Sequence, residues 1–208
     1  MKKKLRWAML LCPLLIGTAY GQFDQGTRFL GATVSLDGKH SKVMDYNQLR
    51  DIKSNTFNVT PEFQVGKFYK NNRMMGIGVS LKGNFYSSYN YKSNSVTPTI
   101  APFLRQYKFL GKRFFLYLEE YVPIQYSIGK QTVSGVKNEN NYFAIGIAVQ
   151  PGIGFKVGKN FYVESNINLL GLNANYKDSQ NQNTFTFNSA ISTHINSQFS
   201  IRAAWYLN

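Results

Sequence analysis

The sequence predicts an all-β protein, an eight-stranded antiparallel up-and-down transmembrane β-barrel, on three observations. Apolar side chains recur at every second position over long stretches. The connections between those stretches alternate between tight and long. The chain is 15% aromatic, yet its mean hydropathy is −0.29. Many aromatics without solidly apolar runs place the apolar residues on one face of extended strands. Short turns at one end, long polar loops at the other and an even strand count are the pattern of an outer-membrane barrel.

The chain begins MKKKLRWAMLLCPLLIGTAYGQ. Lys2, Lys3, Lys4 and Arg6 form a basic start, and Trp7 to Ile16 an apolar run. Ala19 and Gly21 supply the small residues of a cleavage site before Gln22. The run falls short of the ~20 residues a spanning helix needs. Residues 1–21 therefore read as a signal peptide for export through the inner membrane, and 22–208 as one barrel domain. The single cysteine, Cys12, lies in the leader behind Leu11, where an acylation site needs a small residue. The exported chain then has no disulfide framework. The formal net charge is +14, and removal of the leader's four basic residues leaves 20 − 10 = +10, which could suit nucleic acid, but an exported protein rarely meets it. The charge fits anionic lipid headgroups, or no more than a solvated basic surface.

The strands follow in order. Phe29–Leu36 sets Leu30, Ala32, Val34 and Leu36 against Gly31, Thr33 and Ser35. Thr56–Gly66 sets Phe57, Val59, Phe63 and Val65 against Asn58, Thr60, Glu62 and Gln64. Met75–Tyr86 opposes Ile77, Val79 and Leu81 to Gly78, Ser80 and Lys82. Thr97–Phe109 and Phe114–Ile128 come next. In Tyr142–Phe155 one face is Phe143, Ile145, Ile147, Val149, Ile153 and Phe155, and the other is mostly Ala and Gly. Phe161–Tyr176 and Phe199–Leu207 complete the eight. Long loops are expected at Asp37–Ser54, Ser88–Val96, Lys130–Asn141 and Lys177–Asn183, and tight turns at Tyr69–Arg73, Leu110–Arg113 and Val157–Asn160.

Gly-Lys recurs beside each tight turn, in VGKFYKNN, GKRFF and GKNFY. None has the Ser or Thr of a phosphate-binding loop. They read as hairpin turns in which Gly supplies positive φ. The neighbouring aromatics, Phe68, Tyr69, Phe109, Phe114, Phe115, Phe155, Phe161 and Tyr162, are expected to form a girdle at the headgroup boundary.

The stretches TPEFQVGKFYKNN, APFLRQYKFLGKRFF and QPGIGFKVGKNFYVES resemble the small outer-membrane barrel domain abundant in Bacteroidota, relatives of the OmpA and OmpX barrels. The resemblance spans essentially the whole chain after the leader. It implies insertion by the outer-membrane machinery, and a porin label that many members carry, but says little of activity. The chain departs from such barrels in ending WYLN, with Trp205 and Tyr206 set back from the terminus.

With bulky faces toward lipid, Glu62, Lys82, Arg105, Glu119, Glu164 and Arg202 fall on the inward parity of six strands. An eight-stranded barrel is only wide enough for side chains to fill it, and unpaired buried charge is costly. The six are expected to pair as an interior polar network, with Tyr107, Tyr117, Tyr121 and Gln125 adding hydrogen bonds. Some could instead reach the rim and be hydrated. Glu120 shares the outward parity of Leu116, Leu118 and Val122, so either a bulge at Pro123 turns it inward or it sits near an interface. Leu170 and Leu172 change parity after Leu169.

No catalytic residue, metal ligand or cofactor is assigned. His194 lies near Ser192 and Ser197 but lacks the His-x-Ser of lipid A deacylases, and the two histidines with scattered acids form no metal cluster. The expected role is non-enzymatic, in envelope integrity or surface interaction, for a monomer in the cell outer membrane. Its expected partners are outer-membrane lipids, including lipopolysaccharide, which the basic loop Asp37–Ser54 could contact. A narrow channel for small solutes or ions is the alternative, ahead of a lipid A-modifying enzyme or a soluble lipocalin-like binder.

Overall fold

The computed structural model describes residues 22–45, 50–167, 170–179, 182–191 and 199–208. The leader expected at 1–21, with Cys12, lies outside them. Among the described residues twelve antiparallel strands follow one another: β1 (Arg28–Asp45), β2 (Arg50–Lys70), β3 (Arg73–Ser87), β4 (Tyr91–Phe109), β5 (Phe114–Tyr121), β6 (Ile124–Val133), β7 (Val136–Glu139), β8 (Tyr142–Lys156), β9 (Phe161–Ile167), β10 (Leu170–Ser179), β11 (Gln182–Ile191) and β12 (Phe199–Leu207). Hydrogen-bonded neighbours lead from β1 through β2, β3, β4, β5, β8, β9 and β12 back to β1. The sheet thus closes on itself, and a closed sheet has no free edge there.

Twelve strands stand where the sequence reading has eight, and each added break has a local cause. β5 and β6 succeed one another along β4 and β8, separated by Val122 and Pro123. Pro123 lacks the N–H a continuous ladder uses. Phe103 faces Tyr121 before the break and Ile100 faces Ile124 after it, an unchanged register, so no bulge forms. β6 and β7 make a hairpin through Ser134 and Gly135, whose φ of 49° and 87° suit a two-residue type I′ turn.

Along β8 the register does jump. Gly152 faces Asn166 on β9 while Val149 faces Leu172 on β10, six positions against three. An odd offset exchanges inward and outward positions between β9 and β10, whereas the side chains of Leu170 and Leu172 lie outside those described. Leu169 itself lies outside the described residues. β11 is a strand the sequence reading misses, although Phe185 and Phe187 alternate within it and both are exposed.

The expected long loops are mostly strand. The β1–β2 ladder continues to Asp45 opposite Arg50, β4 already begins at Tyr91, and β6–β7 and β10–β11 occupy much of the other two. These ribbons are rich in Ser, Asn, Lys and Gln on both faces, so they show no apolar alternation. Ladder hydrogen bonds are made by the backbone and need none. The turns also differ from expectation: neither Gly111 nor Gly158 has positive φ, whereas Asn72 does, at 59°. Gly66 lies inside β2 against Met74.

Below the ribbons, toward the tight turns, the inner wall alternates large and small. The Tyr117 ring lies over Gly152 and the Phe115 ring over Gly154, their register partners on β8. A Cβ at either glycine would overlap the ring. Gly152→Ala should therefore destabilise the barrel by about 1–3 kcal/mol through overpacking. Gly111→Ala, with open space around it, should stay within about 0.5 kcal/mol. Urea unfolding of the refolded barrel measures both.

Candidate functional site: a closed charged and aromatic interior

Two cross-strand pairs build the charged centre. Arg105 on β4 faces Glu119 on β5, and Arg202 on β12 faces Glu164 on β9. All four are buried, Arg105 and Glu164 completely. Arg105 Nε donates to Glu119, its Nη1 lies 3.1 Å from Glu164 Oε2, and its Nη2 donates to Gln64 Oε1. Arg202 Nη1 is 3.2 Å from Glu164 Oε2 and 3.8 Å from Glu119 Oε2. The charges alternate around a small ring, so each guanidinium lies between the two carboxylates and two positive charges balance two negative ones. The Arg105 guanidinium also lies about 5 Å from the rings of Phe29, Phe103 and Tyr117, close enough for cation–π attraction.

Glu62 stands at the edge of this cluster. Its side chain is 29% exposed, it accepts from Gln64 Nε2 at 2.6 Å, and Arg202 Nη2 is 3.7 Å away. Lys82 is the exception among the six. It lies across the ladder from Thr97, nearer the ribbons, and is exposed, with no ion pair among the described residues. An exposed lysine is hydrated and has no need of a partner. The cluster is thus two arginines with three glutamates.

Of the expected hydrogen-bonding residues, Tyr107 lies 3.4 Å from Arg105 Nη1 and Tyr117 donates to Asn166. Tyr121 lines a cavity of about 190 Å³ on the ribbon side of the cluster, together with Glu62, Gln64, Glu119, Gln150 and Asn166. Gln125 is half-buried opposite Thr99, beyond the cluster.

A second layer of side chains packs at the tight-turn end, and no strand supplies its central residue. Phe23 precedes β1, yet it is 5% exposed and stacks on Tyr206 at 4.1 Å and 5°. The rings of Phe68, Tyr107, Phe109, Phe115 and Tyr162 surround it at 5.0–5.6 Å. Asn72 holds the segment: its Oδ1 accepts from Phe23 N, and its own N donates to Phe23 O. Thr27 Oγ1 donates to Asn208 Oδ1 at 2.7 Å, tying the same segment to the last residue. Tyr206 joins the layers, with its hydroxyl donating to Glu164 and lying 3.2 Å from Tyr107 Oη.

The expected girdle therefore divides in two. Phe68, Phe115 and Tyr162 are buried inside, and Phe109 packs against them. Neighbouring residues of a strand point to opposite sides, so adjacent aromatics cannot all face out. Tyr69, Phe114, Phe155 and Phe161 keep the outward positions, where Phe114 meets Phe155 at 4.6 Å and Phe161 meets Trp205 at 5.1 Å.

Glu120 stays on the outward face, half-buried between Leu104 and Val149. The bulge that would turn it inward is absent. His40 is bonded to Asn55 at 2.6 Å, while His194, Ser192 and Ser197 lie outside the described residues. Sequence reasoning misses Phe23, Gln64 and Tyr206. Gln64 and Tyr206 share the inward parity of Glu62 and Arg202 and were legible on that ground. Phe23 lies before any strand and gives no such signal.

No family model matches the chain, and no curated protein matches it. Among solved structures it is similar to Neisserial surface protein A, at 12% identity over 90% of this chain and 98% of that one, with a TM-score of 0.47. It is also similar to the translocator domain of the autotransporter NalP from Neisseria meningitidis, at 11% identity over 99% and 94%, with a TM-score of 0.43. What the interior does has to be read from its own residues.

Glu119→Ala leaves Arg105 short of its nearest carboxylate in a buried site, which should cost about 3–5 kcal/mol. Lys82→Ala, at an exposed position, should change stability by about 0.5 kcal/mol or less. Equal losses in the two variants, read by denaturant unfolding in lipid or detergent, would show that the cluster does not hold the barrel.

Proposed function

We propose that the chain is an integral outer-membrane barrel with a closed lumen, serving envelope integrity or surface contact without catalysis. One observation carries the membrane reading. Outward-facing aromatics stand in two rims on the same strands: Phe57 and Tyr69 on β2, Phe114 and Tyr126 across β5 and β6, Phe143 and Phe155 on β8. Each pair is about twelve residues apart, which at ~3.4 Å per residue and ~40–45° of tilt spans roughly 30 Å, the thickness of a bilayer core. Between the rims the outward positions include Val65, Ile77, Val79, Leu104, Leu116 and Ile145, all exposed apolar side chains. A soluble lipocalin-like protein would hide such a face and expose the charges.

We further count β5 with β6, β7 with β8, β9 with β10, and β11 with β12 as single staves, giving the barrel eight. A lumen of that width is filled by side chains, which agrees with the ionic and aromatic layers. The chain acts as a monomer, reaches the outer membrane after removal of its leader, and is inserted by the outer-membrane machinery. The channel reading has one observation in its favour, the cavity beside Glu62 and Glu119. That cavity ends on two sealed layers.

Planar-bilayer conductance of the refolded barrel tests closure. The wild type should be silent at both low and high salt. Glu119→Ala should remain silent too, because the Phe23 layer lies in series with the charged one. Conductance should appear when Glu119→Ala is combined with deletion of residues 22–26. Discrete, salt-dependent openings of the wild type would favour the channel. A shift in lipid A mass on expression would favour an enzyme.

A further inference from the structure

The outward face of β1 to β4, just past the ribbon-side rim, carries a patch that the closed interior does not use. Phe57 on β2 faces Phe85 on β3, with their rings stacked 6.3 Å apart at 28°. Phe85 in turn faces Asn94 on β4. One step toward the ribbons lies a polar row in register: His40 opposite Asn55, Asn55 opposite Ser87, Ser87 opposite Lys92. One step further Lys53 faces Lys42 on the same side. Asn55, Phe57, Phe85, Ser87, Lys92 and Asn94 line one shallow groove. Lys53 and Lys92 are exposed and take part in no ion pair among the described residues.

We propose that this groove binds the headgroup of a phosphorylated glycolipid of the outer leaflet, with its phosphate held by Lys53 and Lys92. The proposal rests on the membrane reading above, because that reading fixes the depth. Lys92 stands two residues beyond the rim and Lys53 four, so at ~3.4 Å per residue and ~40° of tilt they rise about 5 and 10 Å above it. The headgroup layer extends roughly 5–8 Å beyond the hydrocarbon on each side, within reach of flexible lysine side chains.

Parity decides which phase the lysines meet. They share the face of Phe57 and Phe85, so they point at lipid and not into the lumen. Lysine is a compact point charge suited to a phosphate. Asn55, Ser87 and Asn94 supply donors and acceptors for sugar hydroxyls. The stacked rings below offer an apolar bed for the first acyl chain. A phospholipid with a small headgroup would leave Ser87, Asn94 and the Asn55 amide nitrogen without a lipid partner, which is the argument for a glycolipid.

The test is native mass spectrometry of the refolded barrel in detergent, titrated with bis-phosphorylated lipid A, its dephosphorylated form and phosphatidylglycerol. Removing one lysine near a charged lipid surface is worth roughly fivefold in binding, from about 1 kcal/mol per charge. The paired variant Lys53→Gln with Lys92→Gln should therefore bind bis-phosphorylated lipid A about twenty-five-fold more weakly than wild type. Lys67→Gln with Arg73→Gln, exposed positions at the opposite rim, should bind as wild type does. The dephosphorylated lipid should bind weakly to all three. Equal weakening by the two paired variants, or none by the first, overturns the site. Phosphatidylglycerol bound as tightly, with the same lysine dependence, overturns the glycolipid. Heating of the unboiled wild type on a gel is read alongside: a barrel that shows no mobility change would remove the membrane reading itself, whatever the lipid results.

Discussion

Arg105 is a guanidinium with no water around it, and much of the interior is arranged to meet that condition. Its donors point in a rigid planar fork, so its partners cannot be chosen freely. Glu119, Glu164 and Gln64 come from β5, β9 and β2, and each must present an oxygen at a fixed position. One side chain thereby fixes the relation of four walls of the barrel. Glu164 does the same from the other side, meeting Arg105, Arg202 and Tyr206. Leaving any of these charges alone at that depth would be far costlier than the net value of the pairs.

The rest of the inner wall follows from volume. A guanidinium flanked by Phe29, Phe103 and Tyr117, with a ring of aromatics beneath, occupies nearly all of a narrow lumen. Room is left only if other inward positions carry no side chain. Gly152 and Gly154 on β8, Gly76 under the Phe103 ring and Gly31 beside Phe29 and Arg202 supply it. The molecule thus inverts the arrangement of a soluble protein, with cohesion by charge, hydrogen bond and ring contact inside and an exposed apolar wall outside. The backbone polar groups of that wall are satisfied strand to strand, the condition for crossing a bilayer.

How much of this was legible in the sequence depends on whether a period of two was present to read. Leu30, Phe63, Ile77, Leu104 and Ile145 fall outward because every strand between the rims alternates. The same alternation put Glu62, Arg105, Glu119, Glu164 and Arg202 on the inward parity. The ribbons were illegible because Val43, Met44, Leu49 and Ile52 follow no period of two within the otherwise polar stretch from Lys39 to Ser54, and paired strand then looks like loop. The aromatic girdle was half misread because residue type was followed and parity was not: Phe114 and Phe115 are neighbours, so one faces out and the other in. Lys82 was assigned by parity alone, which gives the side of the wall but not the height along it. Phe23 has no period to belong to, and only the packed interior accounts for it.

The charged cluster does something that the apolar wall cannot. In the proposed bilayer setting, a strand slipped by one residue would turn its apolar face inward, and lipid would reject it at once. A slip of two residues keeps every apolar side chain facing out, and the bilayer has little means of distinguishing it from the correct register. Inside, the difference is large. A two-residue slip of β5 against β4 would set Tyr117 or Tyr121 opposite Arg105 in place of Glu119, and a similar slip of β12 would separate Arg202 from Glu164. One of the Tyr117 and Phe115 rings would also lose its glycine and meet Gln150 or Lys156 on β8. In that setting lipid would fix parity, whereas the interior pairs fix register. A barrel with a mostly apolar outside needs some such polar key inside if its sequence is to specify one structure.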